Sequence, residues 1–477
     1  MSGKVVSLDS RRPSAKARPK REIRYRKTFD YVLIVVMVIL LCIGLVMVYS
    51  ASYYTGEVRQ QNSESGTSVG KDYYFAKQLI CVAIGAIGML AIMFMDYHSF
   101  VELPWRKYRW MQRFRAIRPY WLVLAFGAVC LLLVFTGLGT EINGSRRWIN
   151  LFGVSVQPSE ILKLAIIIFM SCAIGRSPYS LKSIKGLLPY FLMLALLAVP
   201  IYLQPNFSAI LCIAALVVTM LIVGGARWPH IALIIGIIVV AAVVFVASDE
   251  YRLRRILAAG DENDENRWQI NQSLYSLGSG GLFGRGLGNS MQKLLYLPMA
   301  ESDFIFSILC EELGLVGGVF VLLLYAVFIW RGFLAAIKAP DLTGTLLCTG
   351  VIAMVALQVF LNVAVTADLI PVTGVVLPFL SYGGSGVIIF MCMAGLVLNV
   401  SRQGYKAPPV QKAAEQQARE GAKELAQARA ERERMVKKSQ AEAARARERE
   451  AGRPRQTAQP RERARRETSR PRPRGKQ

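Results

Sequence analysis

An all-α polytopic membrane protein is the fold this sequence predicts, with about ten transmembrane helices and one large extracytoplasmic loop between the seventh and eighth spans. Three observations predict it. Hydrophobic residues make up 53% of the chain, and they are gathered into runs of about twenty, long enough to cross a hydrocarbon core. Charged residues are pushed into the gaps and the two ends. The sequence also lacks the short alternating strands of a transmembrane barrel, so backbone hydrogen bonds in lipid must be satisfied within each helix.

The apolar runs fall at about residues 29–50, 75–95, 119–137, 157–175, 186–203, 206–224, 229–248, 304–330, 343–366 and 374–400. The fifth and sixth meet at Gln204-Pro205-Asn206, which leaves almost no loop. The tenth begins in a Pro/Gly-rich stretch that reads as a continuous, a broken or a re-entrant segment. Loop charge sets the orientation. With the N-terminus inside, the loops at Arg106–Arg118, Arg176–Lys185, Arg227, Arg331–Lys338 and Arg402–Lys406 are cytoplasmic, and each carries Lys or Arg, as the positive-inside rule asks. Arg146, Arg147 and the Arg252–Arg255 group are exceptions on the outer face. Both termini are expected in the cytoplasm.

Three regions follow: a basic tail over residues 1–28, a membrane domain over 29–402 and a second basic tail over 403–477. Much of the net charge of +25 sits in the tails. Basic juxtamembrane tails are orientation signals and contacts for anionic lipid, and no nucleic-acid motif accompanies the charge. Ala413–Ala446 has the composition of a single exposed helix, and from Gly452 the Pro/Arg content argues for disorder. The eight cysteines lie in or beside apolar runs, and the two histidines, His98 and His230, form no cluster with them. Neither a disulfide framework nor a zinc site is expected. The N-terminus shows no cleavable signal, since its first apolar run is long enough to span.

The chemistry-bearing residues sit around the longest polar loop, from about Asp249 to Ser302. Asp303 closes that loop at the mouth of an apolar run. Ser and Asp there are favoured helix N-caps, and a carboxylate at a membrane–water boundary also suits a general base. Glu160 and Lys163, three apart on one helix face, read as a structural ion pair or as the lining of a polar cavity. The run Gly278-Ser279-Gly280-Gly281-Leu282-Phe283-Gly284-Arg285-Gly286-Leu287-Gly288-Asn289-Ser290 matches neither a P-loop nor a dinucleotide fingerprint. It reads as a tight surface loop, or, with Arg254 and Arg255, as a cradle for pyrophosphate.

Together these motifs resemble the SEDS family of peptidoglycan glycosyltransferases. The resemblance covers about Phe29 to Arg402. It includes Gly44-Leu45-Val46-Met47-Val48-Tyr49-Ser50-Ala51-Ser52, Arg147-Trp148, Gln157-Pro158-Ser159-Glu160 and Ser381-Tyr382-Gly383-Gly384-Ser385. Gly286-Leu287-Gly288-Asn289-Ser290-Met291-Gln292-Lys293 with Tyr296-Leu297-Pro298 is similar to the division (FtsW-like) branch. The resemblance implies polymerisation of lipid II into glycan strands at the division septum, with a class B penicillin-binding protein and other divisome proteins as partners. It places the catalytic carboxylate on Asp303 and substrate contacts on Trp148, Glu160, Lys163, Gln292, Lys293 and Ser381. Arg254 or Arg255 would offset charge on the leaving pyrophosphate. A divalent cation, Mg or Mn, is compatible with that chemistry, although no ligand cluster demands one; no organic cofactor is expected. The chain departs from the family pattern at Asn206, where an aspartate is common, and at Met299 and Glu301, where Glu and His are common. A lipid II flippase and a non-catalytic divisome scaffold are the rival readings, and the large loop with its terminal carboxylate favours the enzyme.

Overall fold

The computed structural model describes residues 29–61, 72–102, 118–142, 145–151, 153–247 and 265–403, with short pieces between 425 and 441. Among the described residues, eleven α-helices lie in the first of its two compact units, residues 1–406. They are α1 (Tyr31–Gln61), α2 (Tyr73–Phe94), α3 (Pro119–Leu133), α4 (Pro158–Arg176), α5 (Ile184–Leu203), α6 (Phe207–Val223), α7 (Trp228–Ala247), α8 (Glu265–Ser279), α9 (Ile305–Ile337), α10 (Leu342–Thr366) and α11 (Ser385–Gln403). Seven of these, α1, α2, α4, α5, α9, α10 and α11, are long and apolar enough to cross a membrane, while α3, α6 and α7 carry shorter apolar stretches. The described residues between 425 and 441 are helical and exposed.

The centre of the bundle is built from α4 and α11, most of whose residues are buried. Helix α3 packs along α4, α2 along α11, and α10 against both α4 and α9. Small residues set the closest approach: a Cβ at Gly395 would lie 2.8 Å from the Met89 carbonyl oxygen, the kind of contact that lets membrane helices meet backbone to backbone. Lipid-facing positions such as Phe126, Leu196, Phe320 and Phe360 carry large exposed apolar side chains.

The structure corrects the sequence reading at a sheet and at a helix break, and settles the tenth span as broken. A three-stranded antiparallel sheet, β1 (Gly139–Ile142), β2 (Ser145–Leu151) and β3 (Val154–Val156), joins α3 to α4 along the chain. Its strands are too short and polar to stand out from a loop. The last helix starts at Ser385, because residues 371–384 are not helical. Helix α9 breaks at Gly314 (φ 72, ψ −174), so the membrane-crossing part is residues 315–337, about 34 Å long at 1.5 Å per residue, and Ile305–Leu313 is a separate, largely buried helix in front of it.

Helices α1 and α9 are clamped together at both ends. Arg331 pairs with Asp30 at 2.6 Å. At the other end Glu312, fully buried, accepts from Ser50 Oγ at 2.6 Å and from Lys293 Nζ at 2.9 Å. Asp30 to Ser50 is a rise of about 30 Å, the thickness of a bilayer core, so the two clamps mark the two membrane boundaries. Removing one partner of a buried pair is the costly change, about 3–5 kcal/mol. Lys293→Met should therefore lower stability by that amount, and adding Glu312→Met should restore most of it. Chemical unfolding of the two variants in detergent micelles measures both.

Candidate active site

Asp303 is set by a turn rather than by its helix. The carbonyl of Met299 accepts from three successive backbone N–H groups, those of Ser302, Asp303 and Phe304, at 3.2, 3.1 and 3.4 Å. Leu297, Ala300 and Phe304 are buried beneath the turn and anchor it. The N-cap of α9 is Phe304, without a side-chain cap. Helix capping by Ser302 or Asp303, one reading of the sequence, is thus ruled out by position.

Opposite the turn lies the non-helical stretch from Pro371 to Gly384. Gly374, at φ +65, faces the carboxylate, and a Cβ there would stand 3.5 Å from Asp303 Oδ2. Asn362 Nδ2 on α10 holds both walls, donating to the Asp303 carbonyl at 2.7 Å and to the Val375 carbonyl at 2.8 Å. Ser381 Oγ donates to the Ser302 carbonyl at 2.6 Å and accepts from Leu377 N at 2.9 Å. Tyr382 N donates to the Glu301 carbonyl at 2.9 Å. Ser381 was expected to touch substrate; its hydroxyl is buried and spent on positioning the Asp303 turn.

The third wall comes from β2 and the α5–α6 joint. Arg147 Nε donates to the Gln204 carbonyl at 2.9 Å, and the same guanidinium bonds the Pro205 carbonyl. Ser208 Oγ bonds the Thr373 carbonyl, tying α6 to the same stretch as Gly374. Asn206 caps α6 through Ala209 N at 3.3 Å, a local role for the amide that replaces the family's carboxylate. Asn206 Nδ2, Asn362 Oδ1 and Thr373 Oγ1 are buried without a protein partner. Buried polar atoms are normally paired, so this pocket offers hydrogen-bonding capacity to a polar guest.

Electrostatics fit a base. Burial, and then the neighbouring charge of Glu301, push the Asp303 carboxyl up to about 6, against a hydrogen bond from Ser302 and the charge of Arg147. A base that ionises just below neutral pH accepts a proton effectively at neutral pH.

Glu160 and Lys163 lie deeper, on the first turns of α4, paired at 2.6 Å and buried. Gln358, in the amide orientation that satisfies both its ends, accepts from Lys163 Nζ at 2.8 Å and donates to the Val376 carbonyl at 3.2 Å. Gln358 and Asn362 are one turn apart on α10, so the ion pair and the Asp303 turn share one polar seam. Trp148 is half-buried on β2 opposite Thr140, next to Arg147.

The glycine run does something else. Gly281, Gly284, Gly286 and Gly288 all have positive φ, and the loop wraps the fully buried Glu311. Glu311 accepts from Ser290 Oγ at 2.5 Å, Met291 N at 3.0 Å, Ser276 Oγ at 3.1 Å, and from Gln292 N and Arg285 at 3.4 Å. The loop cradles a carboxylate of its own chain instead of a phosphate. Lys293, expected at substrate, is engaged by Glu312, Ser50 and the Gly288 carbonyl. Gln292 gives its N–H to Glu311. Arg254 and Arg255 lie outside the described residues. Glu311, Glu312, Asn362 and Gln358 are the residues a linear reading passes over.

Comparison with known proteins adds three findings. Residues 30–406 match the family described as Cell cycle protein, which covers FtsW, RodA and SpoVE. The chain is 39% identical over 379 residues to Stage V sporulation protein E of Bacillus subtilis, covering 78% of this chain and 97% of that one. It is 36% identical over 387 residues to the probable peptidoglycan glycosyltransferase FtsW of Trichlorobacter lovleyi, covering 80% and 95%. Among solved structures, Rod shape determining protein RodA of Thermus thermophilus superposes with a TM-score of 0.53 at 25% identity, over 80% of this chain and 98% of that one. A chain from a study of how a peptidoglycan synthase complex coordinates polymerization and crosslinking superposes at 0.59 and 24% identity, over 79% and 98%, which is a likeness of fold.

The weakened acidity of Asp303 makes stability depend on pH. An unfolded aspartate ionises near 3.9, so the folded chain binds the extra proton between about pH 4 and 6 and loses stability across that window as the pH rises. Asp303→Asn carries no charge to bury. Its melting temperature should exceed that of the wild type above pH 6, and the gap should close towards pH 4 in a thermal series across that range.

Proposed function

The chain belongs to the FtsW/RodA/SpoVE cell cycle protein family, and from that premise we propose that it is a peptidoglycan glycosyltransferase that polymerises lipid II during septal wall synthesis. The observation that carries the reading is Asp303: a carboxylate held by a rigid turn in a polar pocket, outside the spans, with its acidity tuned to about 6. An acceptor sugar hydroxyl attacks the anomeric carbon of the lipid-linked donor. The new glycosidic bond forms as the bond to the pyrophosphate oxygen breaks, with inversion. Asp303 takes the hydroxyl proton, and the prenyl pyrophosphate leaves with the bonding electrons.

Arg147, already oriented by two carbonyls, supplies positive charge near the reacting centre, and Arg254 and Arg255 are proposed to meet the leaving pyrophosphate. Among the described residues no group of three or more His, Cys, Asp or Glu side chains could hold a metal ion, so no step here is routed through a cation. The partner proposed is a class B penicillin-binding protein; the supporting observation is that a structural relative works within a peptidoglycan synthase complex. The positive-inside pattern supports cytoplasmic termini and an Asp303 pocket on the outer face.

Purified protein with its transpeptidase partner should convert lipid II into glycan strands, which a flippase or scaffold would not do. Asp303→Asn and Asp303→Ala should lose about 100- to 10,000-fold in polymerisation rate, the usual worth of a positioned base, with folding and partner binding intact. Because the base must be ionised, the wild-type rate should fall about tenfold per pH unit below about 6 and level off above it. Near-normal turnover by Asp303→Asn would remove the assignment.

A further inference from the structure

The tip of the glycine loop exposes two apolar side chains that the bundle does not use. Phe283 is 81% exposed and Leu282 61%. They are held rigidly: Leu315 N donates to the Gly281 carbonyl at 2.9 Å and Val316 N to the Leu282 carbonyl at 3.1 Å. The backbones touch without intervening side chains, since a Cβ at Gly284 would lie 2.2 Å from the Glu312 carbonyl oxygen and one at Gly314 would lie 2.3 Å from Gly284 N. The charge within the loop, Arg285, is turned to Glu311.

The depth of this tip follows from the clamps between α1 and α9. Glu312 and Ser50 mark the membrane boundary on the Asp303 side. Leu282 and Phe283 sit beside Leu315 and Val316, which are themselves 57% and 55% exposed on the lipid-facing side of α9 and lie just past that boundary towards the bilayer centre. The exposed tip is thus continuous with the surface that acyl chains cover. In water an exposed Phe-Leu pair costs free energy of about 25 cal/mol per Å2 of apolar area; in lipid it does not.

We propose that Leu282 and Phe283 form a fixed wedge inserted into the acyl-chain region of the leaflet on the Asp303 side. The glycines at positive φ are needed to turn the chain into and out of the leaflet while Glu311 gathers the loop's polar groups on the protein side. The wedge anchors the loop to the membrane independently of any partner protein, and the inference does not depend on the polymerase reading.

The test is fluorine NMR of the full chain in nanodiscs, with trifluoromethyl-phenylalanine placed singly at position 283, at 320 on lipid-facing α9, and at exposed Tyr179. Two paramagnetic reagents are compared: a phospholipid spin-labelled high on its acyl chain and a water-soluble nickel chelate. The expected result is several-fold stronger relaxation at 283 from the lipid label than from the chelate, as at 320, with the reverse at 179. Relaxation at 283 dominated by the chelate, as at 179, would overturn the proposal. Access by chelate that disappears only when a penicillin-binding protein is added would also overturn it, and would identify the tip as a protein-docking surface. Protection from both reagents in the chain alone would show self-association, and would equally sink it.

Discussion

Inside this bundle the governing constraint is that backbone which is not helical must still have its hydrogen bonds made by protein. Residues 371–384 run through the bundle without helical structure, and side chains meet their backbone groups at several points. Asn362 takes the Val375 carbonyl, Gln358 the Val376 carbonyl, Ser381 the Leu377 N–H, Tyr325 the Pro378 carbonyl and Gln78 the Ser381 carbonyl. The side chains that satisfy this stretch also shape the site. Asn362 reaches the Asp303 carbonyl with the same amide, and Gln358 reaches Lys163. The Asp303 turn and the buried ion pair are thus by-products of one requirement, that an unwound segment be satisfied inside a low-dielectric bundle.

Asp303 gains its chemistry from the same arrangement. A carboxylate beside Glu301, with burial on one side and Arg147 on the other, sits between opposing influences. Its ionisation near neutrality is a balance that a loop alone could not hold steady. The turn built on the Met299 carbonyl, at positive φ, and the Ser381 and Tyr382 bonds fix the geometry on which that balance depends.

Much of this was legible in the sequence because membrane spans announce themselves by length and apolarity, and because Asp303 interrupts an apolar run at its mouth. What stayed hidden was non-local. Glu311 and Glu312 look like two charges wrongly placed in a span; their partners Ser276, Arg285, Ser290, Lys293 and Ser50 come from elsewhere, and only folding brings them together. The glycine run reads either as a tight surface loop or as a phosphate cradle, and the anion it surrounds, Glu311, lies 20 or more residues further along the chain in a segment that looks like a span. The break at Gly314 was invisible because the residues on both sides are good helix formers and the φ of 72 is imposed by the loop packed against it. Asn362 and Gln358 read as ordinary polar residues in a span, since nothing local shows which carbonyls need them.

The two clamps that join α1 and α9 also make the molecule a gauge of bilayer thickness. A single apolar helix meets a thicker or thinner bilayer by tilting, at a cost of fractions of a kcal/mol per Å. A helix pair pinned at both ends, by Asp30–Arg331 on one side and Ser50–Glu312–Lys293 on the other, cannot slide one helix along the other, so it meets mismatch as one unit, by tilting together or by deforming the lipid. The spacing of the two ionic rungs is set by the protein itself, so the Asp303 turn keeps a constant height above the inner rung whatever membrane surrounds it.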